Sequence, residues 1–204
     1  MELLEAIKTR VSIREFAETT VPEDVIIEML EAARLSPSGG NSQDHFFGVI
    51  TDKAKIEELA QAAGNQIWIA DAPLVVACCS DISWDLREQP ENDFGLIVNK
   101  LRFGDDLIKY LNEYPDRRRV MSLFANATPL IPAEHMFLTA VSHGLSACFV
   151  GFLNTGKASK ILNLPENIIC LFLLAVGYPK GDLTPKGKKG IDEISFYNTW
   201  EGKA

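Results

Sequence analysis

The spacing of apolar and polar positions divides the first part of the chain into helices and short strands. Apolar residues three and four positions apart predict helices over residues 2–9, 22–36 and 53–63. The second helix begins at Pro22 and carries Glu23 and Asp24 in its first turn, where the helix dipole favours acidic side chains. Short apolar runs predict strands over residues 45–50 and 73–80.

The second half of the chain contains the most apolar segment, residues 167–176. This segment predicts a strand that is central in a sheet and covered on both faces. The elements predicted before it are a helix over residues 132–143, a strand over residues 145–151 and a helix to about residue 164. Residues 81–128 have weak periodicity and room for two helices.

Helices and strands alternate along the whole chain, and no internal repeat or long linker interrupts them. The alternation predicts one helix-rich domain over residues 1–204, of the α/β or α+β class, with helices covering both faces of a sheet. The pattern leaves the order of the strands open.

Composition and charge narrow the classes of function. The chain has 204 residues, with 20 basic against 28 acidic side chains and a formal net charge of −8. This sign disfavours nucleic acids and anionic membrane surfaces as partners. The apolar runs are shorter than a bilayer span requires, and the charged N-terminal residues do not resemble a signal peptide. We therefore expect a cytoplasmic protein.

Cysteine and histidine offer no metal or nucleophile motif. Cys78, Cys79, Cys148 and Cys170 all lie in apolar segments, which predicts buried free thiols, and neighbours in a strand such as the first two point to opposite faces. The three histidines are isolated in the sequence and are expected to be structural or exposed. No metalloprotease, nucleophile-elbow or phosphate-loop motif is present. An enzyme with this sequence would borrow its chemistry from a cofactor.

Residues 10–14, with the sequence Arg-Val-Ser-Ile-Arg, are the strongest candidate for a binding site. If this segment is extended, Arg10, Ser12 and Arg14 share one side and Val11 and Ile13 the other. Two guanidinium groups that flank a hydroxyl suit a phosphate, because arginine presents forked donors that match its oxygens. The alternative is that Arg10 complements the end of a helix and Arg14 is a surface charge.

Two further segments carry weaker signals. In the loop over residues 36–43, Gly39 and Gly40 let the backbone approach a ligand, whereas the alternative is an ordinary surface turn. The basic tail at residues 186–189 suits an anion, although such a charge run is by default solvated.

These segments, in this order, resemble the nitroreductase family of FMN-dependent oxidoreductases over essentially the whole chain. The motifs are RxSxR at residues 10–14, SPSxxNxQ at residues 36–43, GLxxC at residues 144–148, and a GYP at residues 177–179 followed by a basic tail. The resemblance implies an α+β fold with a mixed central sheet wrapped by helices. It also implies a homodimer with two FMN sites at the subunit interface.

The resemblance places the cofactor-binding residues in separate segments of the chain. Arg10, Ser12 and Arg14 would hold the FMN phosphate and ring edge, and Pro37 and Ser38 would approach the flavin from the partner subunit. The remaining positions that match FMN-binding residues of the family, or flank them, are Val11, Ile13, Asn65, Phe149, Val150, Gly151, Lys186 and Lys188. No metal is expected.

The implied reaction is ping-pong, with NADH or NADPH giving hydride to flavin N5 and a flat electrophile such as a nitroaromatic or quinone accepting it. No protein nucleophile is required. Residues 81–128 would form the lid over the flavin, where Phe103, Tyr110, Tyr114 and Phe124 either stack on an acceptor or serve as core or dimer contacts.

Two alternatives stay open at this point. The same fold also supports dehalogenation, oxidation of heterocycles and breakdown of the flavin. The other alternative is a non-catalytic redox module that binds flavin. The chain also departs from the family pattern, because Phe152 stands where many relatives have a second glycine and lysines replace arginine in the tail.

Overall fold

The computed structural model describes residues 1–202, which contain helices on both sides of one sheet. The helices are α1 (Leu3–Thr9), α2 (Glu23–Arg34), α3 (Lys53–Ala62), α4 (Phe94–Phe103), α5 (Asp105–Glu113), α6 (Arg117–Ala125), α7 (Leu130–Ser142), α8 (Thr155–Ile161) and α9 (Ile191–Ile194). The strands are β1 (His45–Ile50), β2 (Leu74–Asp81), β3 (Ser146–Val150) and β4 (Ile168–Gly177). Short 3-10 turns lie at Gly39–Asn41, Ile67–Asp71 and Trp200–Gly202.

The four strands form one sheet in the order β1-β2-β4-β3, and all three pairings are antiparallel. β4 pairs with a strand on each side and is buried along its whole length, so the prediction of a central, doubly covered strand is confirmed. Within residues 1–202 the one parallel pairing is an isolated bridge between Ser12 and Ala147. The predicted α+β class is confirmed. The sheet itself is antiparallel, so the parallel pairing expected of a mixed sheet is present only as this bridge.

Each face of the sheet carries its own hydrophobic core. α2, α7 and the helices of the middle region cover one face, and α3 and α8 cover the other. Cys78 lies in the first core and Cys79 in the second, as expected for neighbours in a strand. All four cysteines are free and buried, which confirms the prediction.

The middle region contains three helices, whereas the sequence pattern predicted two. Asp93 caps α4 by accepting a hydrogen bond from the Leu96 amide at 2.8 Å, and Asp116 caps α6 through the Arg119 amide at 3.1 Å. Gly104 separates α4 from α5 with a positive φ of 84°, a conformation that favours glycine. These short polar and glycine signals define the helices better than their apolar periodicity does.

A buried carboxylate ties the middle region together. Asp85 accepts hydrogen bonds from Arg117 at 2.6 and 3.0 Å and from Arg87 at 2.9 Å, and Arg117 also donates to the Leu111 carbonyl at 2.6 Å. Although burial opposes ionisation of Asp85, these hydrogen bonds hold its pKa well below the usual range. The ion pair therefore joins the segment after β2 to α5 and α6.

No helix within residues 1–202 combines the length and apolar character that crossing a bilayer requires.

Candidate functional site

Residues 10–14 run beside β3 as an extended segment. The Ile13 amide donates to the Ala147 carbonyl at 3.2 Å, and the Ser146 hydroxyl donates to the Val11 carbonyl. Ile13 is buried, while Ser12 and Arg14 are exposed on the other side. The alternation predicted from the sequence is present, because the backbone of β3 holds the segment extended.

Aromatic rings support both guanidinium groups of this segment. The Cζ atom of Arg10 lies 5.1 Å from the centre of the Phe137 ring, and that of Arg14 lies 5.5 Å from the centre of a Trp68 ring. Arg10 also donates to the Ser12 hydroxyl at 3.4 Å. Neither arginine forms an ion pair with any residue of 1–202, although the chain carries a net charge of −8. The segment therefore presents two guanidinium groups that no carboxylate pairs directly. Burial raises the pKa of Glu134 and the charge of Arg10 acts in the opposite direction, so this carboxyl lies within reach of the Arg10 charge.

The charge of these arginines reaches β3. Burial raises the pKa of the Cys148 thiol, and the charges of Arg14 and Arg10 act in the opposite direction. Both guanidinium groups therefore lie close to the strand that leads into Val150 and Gly151. The ring of Phe149 packs against Phe137 and Phe172, so its main chain is the part of this residue that remains for a ligand.

The end of β3 lies against the end of α3, near Asn65. The Asn154 amide donates to the Ala62 carbonyl at 2.9 Å, and Gln66 donates to the Phe152 carbonyl at 3.5 Å. Gly64 has a positive φ of 70°, and a Cβ atom there would clash with the Phe152 ring. Asn65 is therefore brought to the same part of the molecule as Gly151.

Two predicted segments make no hydrogen bond or ion pair with this cluster within residues 1–202. Pro37 is exposed in the loop after α2, and the Ser38 hydroxyl accepts a hydrogen bond from the Gln43 amide at 3.0 Å. Lys186 and Lys188 are exposed in a segment without regular structure. Among the described residues, no hydrogen bond or ion pair connects either segment to Arg10 or Arg14. One chain thus assembles only part of the predicted site.

The 81–128 region borders a cavity of about 510 Å³ beside the loop that follows α2. Three aromatic side chains line it, those of Trp84, Phe94 and Phe124. Of the aromatic residues singled out in the sequence, Phe124 lines the cavity and Phe103 packs on it with ring centres 6.0 Å apart. Tyr110 and Tyr114 contact each other instead, with centres 6.5 Å apart.

The histidines have local roles. His143 lies 2.8 Å from a Glu28 carboxylate oxygen, and His135 lies 3.3 Å from the Ala32 carbonyl. His45 contacts the ring of Phe47. Each histidine therefore makes a local contact with the fold, which is one of the two roles that the sequence predicted.

Sequence reasoning missed the aromatic residues beneath the arginines. Trp68 is about fifty positions from Arg14 in the chain, and Phe137 is still further from Arg10. No local spacing connects such pairs, since they meet only when α7 and the turn at Ile67–Asp71 pack in the folded chain. One feature of the sequence could have indicated Trp68, because it lies three residues after Asn65, a predicted site residue.

Comparison with known proteins identifies the family of this chain. A model of the nitroreductase family matches residues 7–178. A putative NADH dehydrogenase/NAD(P)H nitroreductase from Methanothermobacter thermautotrophicus is 26% identical over 183 residues, which are 88% of this chain and 78% of that protein. An FMN reductase (NADPH) from Bacillus subtilis is 24% identical over 199 residues, 97% of this chain and 74% of that protein. The structure of NfrA1 from B. megaterium is 26% identical with a TM-score of 0.72, over 97% of this chain and 74% of that chain. Because the family model covers most of the sequence, this chain belongs to the nitroreductase family, as the order of its motifs predicted.

Proposed function

We propose that this protein is an FMN-dependent oxidoreductase that takes hydride from NADH or NADPH and passes it to a flat electrophilic acceptor. The observation that carries the proposal is the pair of unpaired guanidinium groups, Arg10 and Arg14, held on either side of Ser12. A flavin mononucleotide offers the two features that such a segment suits, a phosphate and a ring that becomes anionic when reduced. The names of two relatives, an NAD(P)H nitroreductase and an FMN reductase, support the same reading.

The residues of the site fit this cofactor. Arg10, Ser12 and Arg14 supply positive charge and donors to the phosphate and ring edge, with Val11 and Ile13 fixing the segment. Asn65 and the main chain of Phe149, Val150 and Gly151 would border the ring. Bound FMN supplies the hydride chemistry, and the protein's part is to bind, orient and stabilise charge. A cofactor that carries the hydride by itself fits a ping-pong mechanism, in which the oxidised nicotinamide leaves before the acceptor binds.

A second copy of the chain would complete the site. Pro37 and Ser38 would come from the partner, and Lys186 and Lys188 would reach the phosphate from the tail. We infer a homodimer from exposed apolar residues on α1, where Leu3 and Leu4 are largely in solvent in the single chain and Ile7 is about half exposed. The apolar α7 contributes little to this argument, because most of its apolar residues pack in the subunit's own core.

The acceptor would bind where the middle region meets the loop after α2. The cavity of about 510 Å³ there falls within the usual range for small-ligand sites, and its aromatic walls suit a flat ring. Nitroaromatics and quinones have the required shape. A cytoplasmic location remains a prediction from the sequence.

The visible spectrum of the purified protein, followed by turnover, tests the proposal. An oxidised flavin absorbs at roughly 370 and 450 nm, and NAD(P)H should bleach these bands under anaerobic conditions. Addition of a quinone should restore them over many cycles. A protein that binds no flavin would overturn the proposal, and one whose bound flavin NAD(P)H reduces but no acceptor reoxidises would favour a non-catalytic redox module. Sedimentation at low micromolar concentration tests the dimer, which a stable monomer retaining FMN would contradict.

A further inference from the structure

Arg14 is the outermost member of a stack of side chains. Phe16 is buried and lies against Gly177, where an added Cβ would come within 2.9 Å of the Phe16 ring. Trp68 stacks on Phe16 with ring centres 6.5 Å apart and planes 24° from parallel. The Arg14 guanidinium then lies over Trp68 at 5.5 Å. The order from the core to solvent is Gly177, Phe16, Trp68 and Arg14.

The inner members of this stack are firmly held. Trp68 belongs to the turn at Ile67–Asp71, where Ile69 is fully buried and its amide donates to the Gln66 carbonyl at 3.0 Å. Lys53 of α3 donates to the Ala70 carbonyl of the same turn. The backbone of Phe16 is bridged to Pro179 after β4. Trp68 is therefore a fixed platform, whereas Arg14 is exposed and has no hydrogen bond or ion pair within residues 1–202.

An aromatic platform and a carboxylate have different effects on an arginine. A carboxylate would orient Arg14 but also occupy its N–H groups and cancel its charge. The face of an indole attracts the guanidinium while leaving the N–H groups and the full positive charge available to a ligand. The indole also restricts the arginine side chain before a ligand binds. The side chain therefore loses less conformational entropy on binding than a freely moving one would.

We propose that Trp68 is a positioning residue, which holds the Arg14 guanidinium ready for the anionic cofactor through the stack built on Phe16. The inference rests on the proposed function, since it takes FMN as the ligand of Arg14. It goes beyond that function by assigning a role to a residue that the binding segment itself does not contain. Trp68 acts through Arg14, so its contribution should vanish when Arg14 is absent.

The test is a double-mutant cycle on the FMN dissociation constant. Trp68→Phe keeps an aromatic face, and Trp68→Met keeps an apolar side chain that is smaller, more flexible and not aromatic. FMN is removed from each protein and titrated back, with flavin fluorescence as the readout. We expect Trp68→Met to weaken FMN binding roughly three- to tenfold, and Trp68→Phe by about half that factor or less. In an Arg14→Ala background, exchanging Trp68 for Met should change binding by less than about twofold.

Further measurements separate positioning from folding. The reduction potential of the bound flavin should fall in Trp68→Met as it does in Arg14→Ala, because Arg14→Ala removes the cation beside the reduced ring and Trp68→Met removes the contact that orients it. Arg34→Ala, which removes an exposed arginine paired with Glu31, is the control for net charge and should leave FMN binding unchanged. Thermal unfolding of each FMN-free variant records any loss of stability.

Three outcomes would overturn the inference. They are equal FMN affinities of the Phe and Met variants, a loss of equal size with and without Arg14, and a reduction potential that Trp68→Met leaves unchanged. An equal loss in both backgrounds would show that Trp68 contacts the cofactor directly or serves only the fold. A wild-type protein that binds no FMN would instead overturn the proposed function.

Discussion

Arginine plays opposite parts in two regions of this molecule. In the middle region, Arg117 is largely buried and is fully used by the Asp85 carboxylate and the Leu111 carbonyl. Beside β3, Arg10 and Arg14 rest on aromatic rings and keep their charge unpaired. The partner of the arginine, and not the arginine itself, decides whether it stabilises the fold or remains available to a ligand.

The largest effect is expected from breaking the buried ion pair. Asp85→Ala removes the carboxylate and leaves Arg117 largely buried without a counter-charge, which should lower the free energy of unfolding by about 2 to 4 kcal/mol. Urea denaturation measures this value. The matched control, Glu31→Ala, breaks an exposed pair with Arg34 and should cause no measurable change. Similar midpoints for the two variants would show that Asp85 is no more important than a surface charge.

The second largest effect is expected at Arg14, one of the two arginines that form no ion pair. Arg14→Ala should weaken FMN binding by about 1.5 to 3 kcal/mol, because it removes a charged hydrogen-bond donor, and should make the flavin potential more negative. Arg14→Lys should recover only part of both, since it restores the charge without the forked geometry. Calorimetric titration with FMN and thermal unfolding of the FMN-free forms provide the measurements. If binding is unchanged and stability falls, Arg14 is a structural residue like Arg117.

The third effect concerns the lysines of the basic tail, which are proposed to bind the FMN phosphate. Replacing Lys186 and Lys188 together by alanine should weaken FMN binding by about 1 to 2 kcal/mol and riboflavin binding much less, because riboflavin lacks the phosphate. Parallel titrations with the two ligands measure the difference. Equal losses for both would mean that the tail supports the fold rather than the phosphate.

The smallest effect is the pH dependence of the ion pair. The folded pKa of Asp85 lies below its unfolded value of about 3.9, so its stabilisation is complete above that value and declines as the pH falls toward the folded pKa. Between pH 6 and pH 3 the wild type should lose about 1 kcal/mol more than Asp85→Asn. Unfolding curves at both pH values measure this difference. A constant gap between the two proteins would show that Asp85 is not ionised in the folded state or that its pKa does not change on unfolding.

The sequence predicted the fold where the signal was local. Residues 45–50 were assigned as a strand with the bounds that the structure has, and β4 was recognised as central from its unbroken apolar run. The two-sided arrangement of residues 10–14 was predicted on the condition that the segment is extended, and its contacts with β3 meet that condition. The third helix of the middle region was missed because its boundaries depend on Gly104 and Asp116 rather than on periodicity.

The site was less predictable because its parts meet only in the folded molecule. Arg10 and Arg14 were found from their own spacing, but Trp68 and Phe137 have no sequence relation to them. The strand order, with β4 between β2 and β3, depends on long-range pairing that no short pattern encodes. Residues such as Pro37 and Lys186 fall outside the cluster of one chain, and their roles depend on an assembly that a single sequence does not describe.

The bridge between Ser12 and Ala147 has a further consequence for solubility. β3 is the last strand of the sheet, and an uncovered edge strand presents free backbone groups to other chains. The Ile13 amide pairs with the Ala147 carbonyl on that edge, and the Ser146 side chain holds the Val11 carbonyl beside it. The segment proposed to bind the cofactor therefore also shields the sheet from intermolecular pairing, and variants that detach it from β3 should aggregate as well as lose their ligand.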